Sequence, residues 1–293
     1  MKKVNHLLLV LVVLILASCG ATNIVPVTGR KQRINVNSTE ILSLSKTEYD
    51  KYIASSKLST NATNTAMVKR VGQKLATAVE TFLRNNGYEQ EVANYKWELN
   101  LVQGNQVNAF CMPGGKIVVY EGLLPVTQNE TALAIVLGHE IAHAVANHSA
   151  EQMTKQQDQQ LLGSVVGGVL TAAGAGVNTQ NTIATIYGLG SQMATLKYSR
   201  NHENEADHIG LIFAAMAGYN PQEALTFWQR MAASNQGGQP EFLSTHPSDA
   251  SRIANIQKLL PEAMKYYNSA TGTATTTSKS AKTPKTTKTI RIR

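Results

Sequence analysis

An α+β fold, mainly helical with a small antiparallel sheet, is what the hydrophobic patterning of this chain predicts. Three observations carry that expectation. Val68, Val71, Leu75, Val79 and Phe82/Leu83 recur at helical spacing, and Gly87 closes the run. Three short strand-like runs follow, at 96–102, 106–112 and 116–120, with Gly104-Asn105 and Pro113-Gly114-Gly115 as turns. Beyond Glu130 the chain is apolar on nearly every face as far as Val145, the pattern of a buried helix.

Taken in order, the chain opens with a segment that is not fold. Lys2 and Lys3 precede a ten-residue apolar core, Leu7 to Leu16, too short to span a bilayer. Leu16-Ala17-Ser18-Cys19 then resembles a bacterial lipobox, in which cleavage leaves Cys19 as a lipidated first residue. A diacylglyceryl group with an N-acyl chain would satisfy the need of stable anchoring for more than one chain. Residues 1–18 are therefore read as a lipoprotein signal peptide, 19–37 as a tether, 38–267 as one domain and 268–293 as a disordered basic tail. The helix of about 64–86 and the three strands come first in the domain. Thr127-Gln128-Asn129-Glu130 then offers a capping box for the apolar helix, Thr as N-cap and Glu three residues on. The Gly-rich run 163–178 is short and Gly/Ala-heavy for a membrane span and is read as a helical hairpin over a cleft. Asn220-Pro221 and Ser248 open the last two helices.

Composition narrows the function classes. The formal charge of +8 disappears once Lys2, Lys3 and the six basic residues from Lys279 to Arg293 are set aside, so the body is neutral. A nucleic-acid partner is excluded on that ground. The tail is Thr, Ser, Ala and Lys, too poor in apolar residues to order itself. Cys111 is the one cysteine besides Cys19, so there is no disulfide framework, and Cys111 is expected to pack as a small hydrophobe.

The apolar helix carries the chemistry. In Gly138-His139-Glu140-Ile141-Ala142-His143 the two histidines stand four apart and share a helix face, aimed at one metal ion. Glu140 falls beside that ion rather than on it, where a carboxylate serves as a general base. Burying these three side chains would be costly without a bound partner. The metzincin pattern is absent, since Ala146 and Ser149 stand where its Gly and third His belong. His148, nine residues after His139, lies about 180° around a continuous helix and is read as a structural or surface histidine. Further on, Glu203 and Asp207 share a helix face, suiting a ligand carboxylate and an acceptor for a ligand's free ring N–H. His202 and His208 flank that pair and stay open as ligands on spacing alone. Glu205 points elsewhere, as a solvated or salt-bridging carboxylate.

These residues resemble the HtpX-like and CAAX-prenyl-protease-like zinc endopeptidases of metallopeptidase family forty-eight. The resemblance rests on Gly-His-Glu-Ile-Ala-His (138–143), Tyr-Ser-Arg…Glu-x-Glu-Ala-Asp (198–207) and Thr-His-Pro…Arg-Ile (245–253), in that order. Val25-Pro26-Val27-Thr28-Gly29-Arg30 and Val107-Asn108-Ala109-Phe110…Pro113-Gly114-Gly115 resemble its soluble bacterial lipoprotein branch. It implies a zincin (gluzincin) fold, one Zn²⁺ held by His139, His143 and Glu203, and Glu140 as the base, with Asp207 left by its spacing behind a ligand. It also implies extended substrate paired with an edge strand at Asn108 and Ala109.

His246 precedes Pro247, which biases it toward extended backbone on a loop, and the resemblance brings that loop near the zinc. There His246 either donates to a developing oxyanion or takes the fourth zinc position at rest; Arg252 and Asp249 are candidate anchors for the loop. The expected function is a metalloendopeptidase cleaving misfolded or unassembled envelope proteins, lipid-anchored and periplasm-facing at the outer membrane. The alternative is a periplasmic chaperone or assembly factor with a structural or silenced zinc site.

Overall fold

The path of the backbone follows from where the chain can cap and bury each segment. A computed structural model of the chain describes residues 21–159, 198–233, 242, 246 and 250–273. Cys19, the Gly-rich run 163–178, Pro247 to Asp249 and residues 274–293 of the basic tail lie outside those residues, while 268–271, expected to open that disordered tail, continue the last helix.

The segment expected as a tether is part of the body. Strands β1 (Ala21–Ile24) and β2 (Lys31–Ile34) pair antiparallel, Ala21 opposite Ile34. The turn between them buries Val25 in the main core. It is closed by Val25 N–H to Arg30 O (2.8 Å) and Gly29 N–H to Val25 O (3.0 Å). Helix α1 (Ser38–Ser55) follows, capped by the Asn37 side chain on the Thr39 and Glu40 amides. Helix α2 (Ala62–Asn85) buries Val68, Val71, Leu75, Val79, Phe82 and Leu83, the face its periodicity specifies. Gly87, at φ 83, ends it.

After a single turn, α3 (Glu89–Val92), come β3 (Glu98–Val102), β4 (Ala109–Met112) and β5 (Lys116–Tyr120). Their spatial order is β3-β5-β4. The Pro113-Gly114-Gly115 turn makes β4 and β5 the expected antiparallel pair, while β3 lies parallel to β5 on its far side. The sheet is therefore mixed, and β4 forms one edge. A strictly antiparallel meander would need β3 against β4, but β5 stands between them.

Helices α4 (Leu124–Thr127) and α5 (Glu130–Val145) follow. The N-cap of α5 is Asn129, whose side chain accepts the Ala132 amide at 2.8 Å, rather than Thr127, which ends α4. Every residue of α5 from Ala132 to Val145 is buried. Asn147, at φ 53, breaks the helical path before a further helical run over 148–159. Helices α6 (Arg200–Met216), α7 (Glu223–Ala233) and α8 (Ala250–Thr271) complete the described fold. The start of α7 lies two residues beyond Pro221, because Asn220 first closes a turn on the Gln222 amide. Among the described residues, no helix is long and apolar enough to cross a membrane.

Helix α5 is the central element. It packs on β4, α2 and α6, and at its crossing with α6 the backbones touch through Gly138 and Gly210. That close approach sets His139 and His143 against the first turns of α6.

Candidate metal centre

Four buried donors from three segments converge: His139 and His143 on α5, Glu203 in the first turn of α6, and His246. His139 Nε2 stands 3.1 Å from His143 Nε2 and 3.1 Å from His246 Nδ1. Glu203 reaches His246 Nδ1 at 3.1 Å, and its two oxygens lie 3.4 Å from the Nε2 atoms of His139 and His143. A tetrahedral ion with bonds of about 2.0–2.1 Å spaces its ligands about 3.3–3.4 Å apart, so the donor set fits such a cation. Three imidazoles and a carboxylate also match the donor chemistry zinc prefers. Without a cation, imidazole lone pairs would face one another in a buried site.

Glu140 sits beside this cluster and not in it. Its Oε1 is buried and hydrogen-bonded to nothing, with His246 Nε2 3.5 Å away. Burial pushes the Glu140 carboxyl up to about 7, against the pull of His246. Burial works in the same direction on Glu203, but His246, His139 and His143 outweigh it and hold Glu203 far below the usual carboxylate range. Burial holds His143 well below the ordinary histidine value, the form in which a ring nitrogen can ligate.

The rings are fixed from behind. His139 Nδ1 lies 2.9 Å from Asp207 Oδ1. Arg252 clamps Asp207 with Nε at 2.8 Å and Nη2 at 2.7 Å, and its guanidinium lies 3.6 Å over the Trp228 ring. Burial would raise the Asp207 carboxyl, but Arg252 and His139 keep it low. Arg252 also donates to the His246 carbonyl at 3.4 Å, tying the His246 segment to the same carboxylate. Asp249 falls outside the described residues.

One sequence expectation needs correction. His148 does not face away. Because Asn147 leaves the helical path, the 100° per residue extrapolation fails, and His148 is buried with Nδ1 2.8 Å from His143 Nδ1. Of its two expected states Glu205 takes the salt-bridging one, buried and bonded to His148 Nε2 (3.0 Å), Arg30 Nε (2.7 Å) and Thr28 Oγ1 (2.5 Å). His246 lies at a bend rather than in a helix, as Pro247 after it predicts, with its amide donating to Phe242 O at 2.8 Å and its ring buried. Of the two open ligand candidates, His202 meets Glu151 at 3.2 Å and His208 meets Glu262 at 2.8 Å, both outside the cluster. Cys111 is buried on β4, its thiol pushed up by that burial, as a packing residue would be.

Asn108 and Ala109 lie where β4 begins. The pairing of Tyr120 N–H with Asn108 O sets the alternation, so Ala109 and Cys111 turn their backbone groups away from β5, to the side on which Phe242 N–H meets Val107 O at 3.2 Å. Asn108 Oδ1 accepts the Ala109 N–H at 2.9 Å. Sequence reasoning missed Arg30 and underweighted His148, Arg252 and Tyr198, whose ring stacks on His143 at 4.0 Å. Arg30 stood in a quoted motif, but nothing local tied it to residues 121 and 175 positions away.

The family model of peptidase family M48 matches residues 63–260. The chain belongs to peptidase family M48. Members of that family use zinc, and the four-donor cluster is able to hold it. Among curated relatives, the mitochondrial metalloendopeptidase OMA1 of Schizosaccharomyces pombe is 40% identical over 177 residues, covering 59% of this chain and 49% of the relative. The human metalloendopeptidase OMA1, mitochondrial, is 30% identical over 249 residues, 82% of this chain and 46% of the relative. The β-barrel assembly-enhancing protease of Escherichia coli is 32% identical over 163 residues, 54% of this chain and 33% of the relative. The chain thus spans half or less of the length of each.

Proposed function

We propose that this M48 chain is a zinc metalloendopeptidase, lipid-anchored through Cys19 and facing the periplasm at an outer membrane. Its substrates are misfolded or unassembled envelope proteins presented as extended segments. The observation that carries the catalytic part is the pairing of a four-donor cluster of tetrahedral dimensions with an adjacent, buried, unpaired Glu140 oxygen. His139, His143 and Glu203 are the resident ligands, and zinc there supplies Lewis acidity toward a scissile carbonyl and toward water. Glu140 takes the proton of the attacking water and returns it to the leaving amine. Asp207, clamped by Arg252, holds the His139 ring in the tautomer that leaves Nε2 free to ligate.

The edge of β4 is the substrate track. The outward groups of Ala109 and Cys111 pair with an extended peptide, and Asn108 releases the Ala109 amide to it. Recognition by backbone gives broad sequence tolerance and a need for unfolded segments. The name of the Escherichia coli relative joins a protease to β-barrel assembly, which supports an envelope setting, and the lipobox-like Leu-Ala-Ser-Cys supports the anchor.

His246 is the resting-state plug: Nδ1 stands at the fourth corner of the donor set. That geometry is the one observation favouring a silenced site, and it is compatible with an enzyme that opens when substrate arrives. Metal content and casein cleavage of the purified protein test the reading. About one zinc per chain, lost in Glu203→Ala together with cleavage, is expected. Full zinc retention in Glu203→Ala would overturn the ligand set, and zinc without cleavage under any condition would leave the assembly-factor reading.

A further inference from the structure

The two α5 histidines are supported in unlike ways. His139 is backed directly by a carboxylate, Asp207. Among the described residues the partner of His143 Nδ1 is no carboxylate but His148 Nδ1, 2.8 Å away. His148 Nε2 in turn meets Glu205 Oε2 at 3.0 Å. Glu205 is held by Arg30 Nε at 2.7 Å and Thr28 Oγ1 at 2.5 Å, both from the turn between β1 and β2. Arg30 also bridges to Glu151 at 2.8 Å, and Glu151 meets His202, whose ring stacks on His148 at 4.4 Å.

We propose that Arg30, Glu205 and His148 form a hydrogen-bonded relay that orients the His143 ring, so that the turn at residues 25–30 is a positioning element of the metal site. One proton arrangement satisfies every contact. Arg30 and Thr28 donate to Glu205; His148 donates from Nε2 to Glu205; His143 donates from Nδ1 to His148 Nδ1. His143 Nε2 is then left with its lone pair toward His139 and Glu203, as ligation requires. The turn itself is held in an uncommon conformation: Val27, a β-branched residue, has φ 72, followed by Gly29 at φ 68. Such backbone persists where its surroundings over-determine it, and here it aims Thr28 and Arg30 at one carboxylate. Glu205, two residues from Glu203 on the same helix, thereby acts on the metal site from the opposite side.

The inference rests on His143 being a zinc ligand, and the test separates the two ideas. Zinc affinity is measured by competition with a chromophoric chelator, and the cobalt-substituted protein is followed through its d–d absorption bands. His148→Ala is expected to bind zinc about 10–100-fold more weakly, with shifted cobalt bands at unchanged stoichiometry. His148→Asn, which puts an acceptor oxygen where Nδ1 stood, should recover much of that affinity. Glu205→Ala should weaken zinc binding in the wild-type background and have no further effect beside His148→Asn, because the link to Glu205 is then cut. Melting of the metal-free proteins reports folding separately; where His148→Ala fails to fold, Arg30→Gln and Glu205→Gln carry the same comparison. Wild-type zinc affinity in the folded His148 and Glu205 variants, or losses that simply add, would overturn the relay. Wild-type affinity in His143→Ala would instead overturn the ligand assignment beneath it.

Discussion

Gly138 and Gly210 meet where α5 crosses α6, and neither position has room for a side chain. A Cβ on Gly138 would fall 2.8 Å from the Gly210 carbonyl oxygen, and one on Gly210 would fall 2.7 Å from the His139 amide nitrogen. Both obstacles are backbone, which cannot swing aside as a side chain can. Gly210→Ala is expected to cost about 1–3 kcal/mol, read in urea denaturation of the metal-free protein. It should weaken zinc binding too, because the helices that part are those carrying His139 and Glu203. Unchanged stability and unchanged zinc affinity would mean that the crossing is not held by this contact.

Glu140→Gln keeps the side chain's size and removes its basicity. Because Glu140 lies beside the donor set rather than in it, the variant should retain about one zinc per chain, measured by atomic absorption. Cleavage of casein should fall by at least ~10²-fold. Loss of the metal would move Glu140 into the coordination set instead.

Acid should loosen the protein through Glu205 and His148. Burial raises the Glu205 carboxyl, yet His148, Thr28 and Arg30 outweigh it and hold Glu205 at about 2. An unfolded glutamate titrates near 4.3, at about pH 4–5, so the stabilisation is present above that value and is lost as pH falls toward 2. Burial lowers His148 to about 4. The unfolded histidine binds its proton first as pH drops below about 6.5, which destabilises in the same direction. Melting of the metal-free wild type should therefore fall more steeply between pH 6 and pH 3 than that of Glu205→Gln. Parallel curves would show that this cluster does not contribute to the acid lability.

The sequence made legible what periodicity and local motif encode. The apolar faces of α2 and α5 and the pairing of β4 with β5 are each readable from residues close in the chain, whereas spacing marks Asp207 as an acceptor for a ligand's ring N–H without saying that the ring is His139, 68 residues away. The helix α1 was not, because it buries only Ile41, Ser45 and Tyr49, too thin a stripe to stand out. The hairpin of β1 and β2 reads as a tether because four-residue strands carry little alternation, and its docking depends on Arg30 reaching Glu151 and Glu205 far along the chain. His148 was misread for a different reason. One residue at positive φ, Asn147, rotated it from the back of an ideal helix onto His143.

His246 decides between two opposite outcomes in one substitution. Were it a donor to the oxyanion, removing it would slow cleavage by about 10²–10³-fold. The geometry favours the other role. Its Nδ1 lies 3.1 Å from both His139 Nε2 and Glu203 Oε1, a ligand's distance from its neighbours, and its amide and carbonyl are pinned to Phe242 and Arg252. On the proposed reading a ring so placed would shut the fourth position to water and would have to leave before cleavage begins. His246→Ala should therefore raise basal casein cleavage, and it should weaken zinc binding by removing one of four donors. The two readouts are to be taken together on the same preparation. Faster cleavage with weaker metal binding supports the plug, slower cleavage with unchanged metal binding supports the oxyanion donor, and no change in either removes His246 from the machinery.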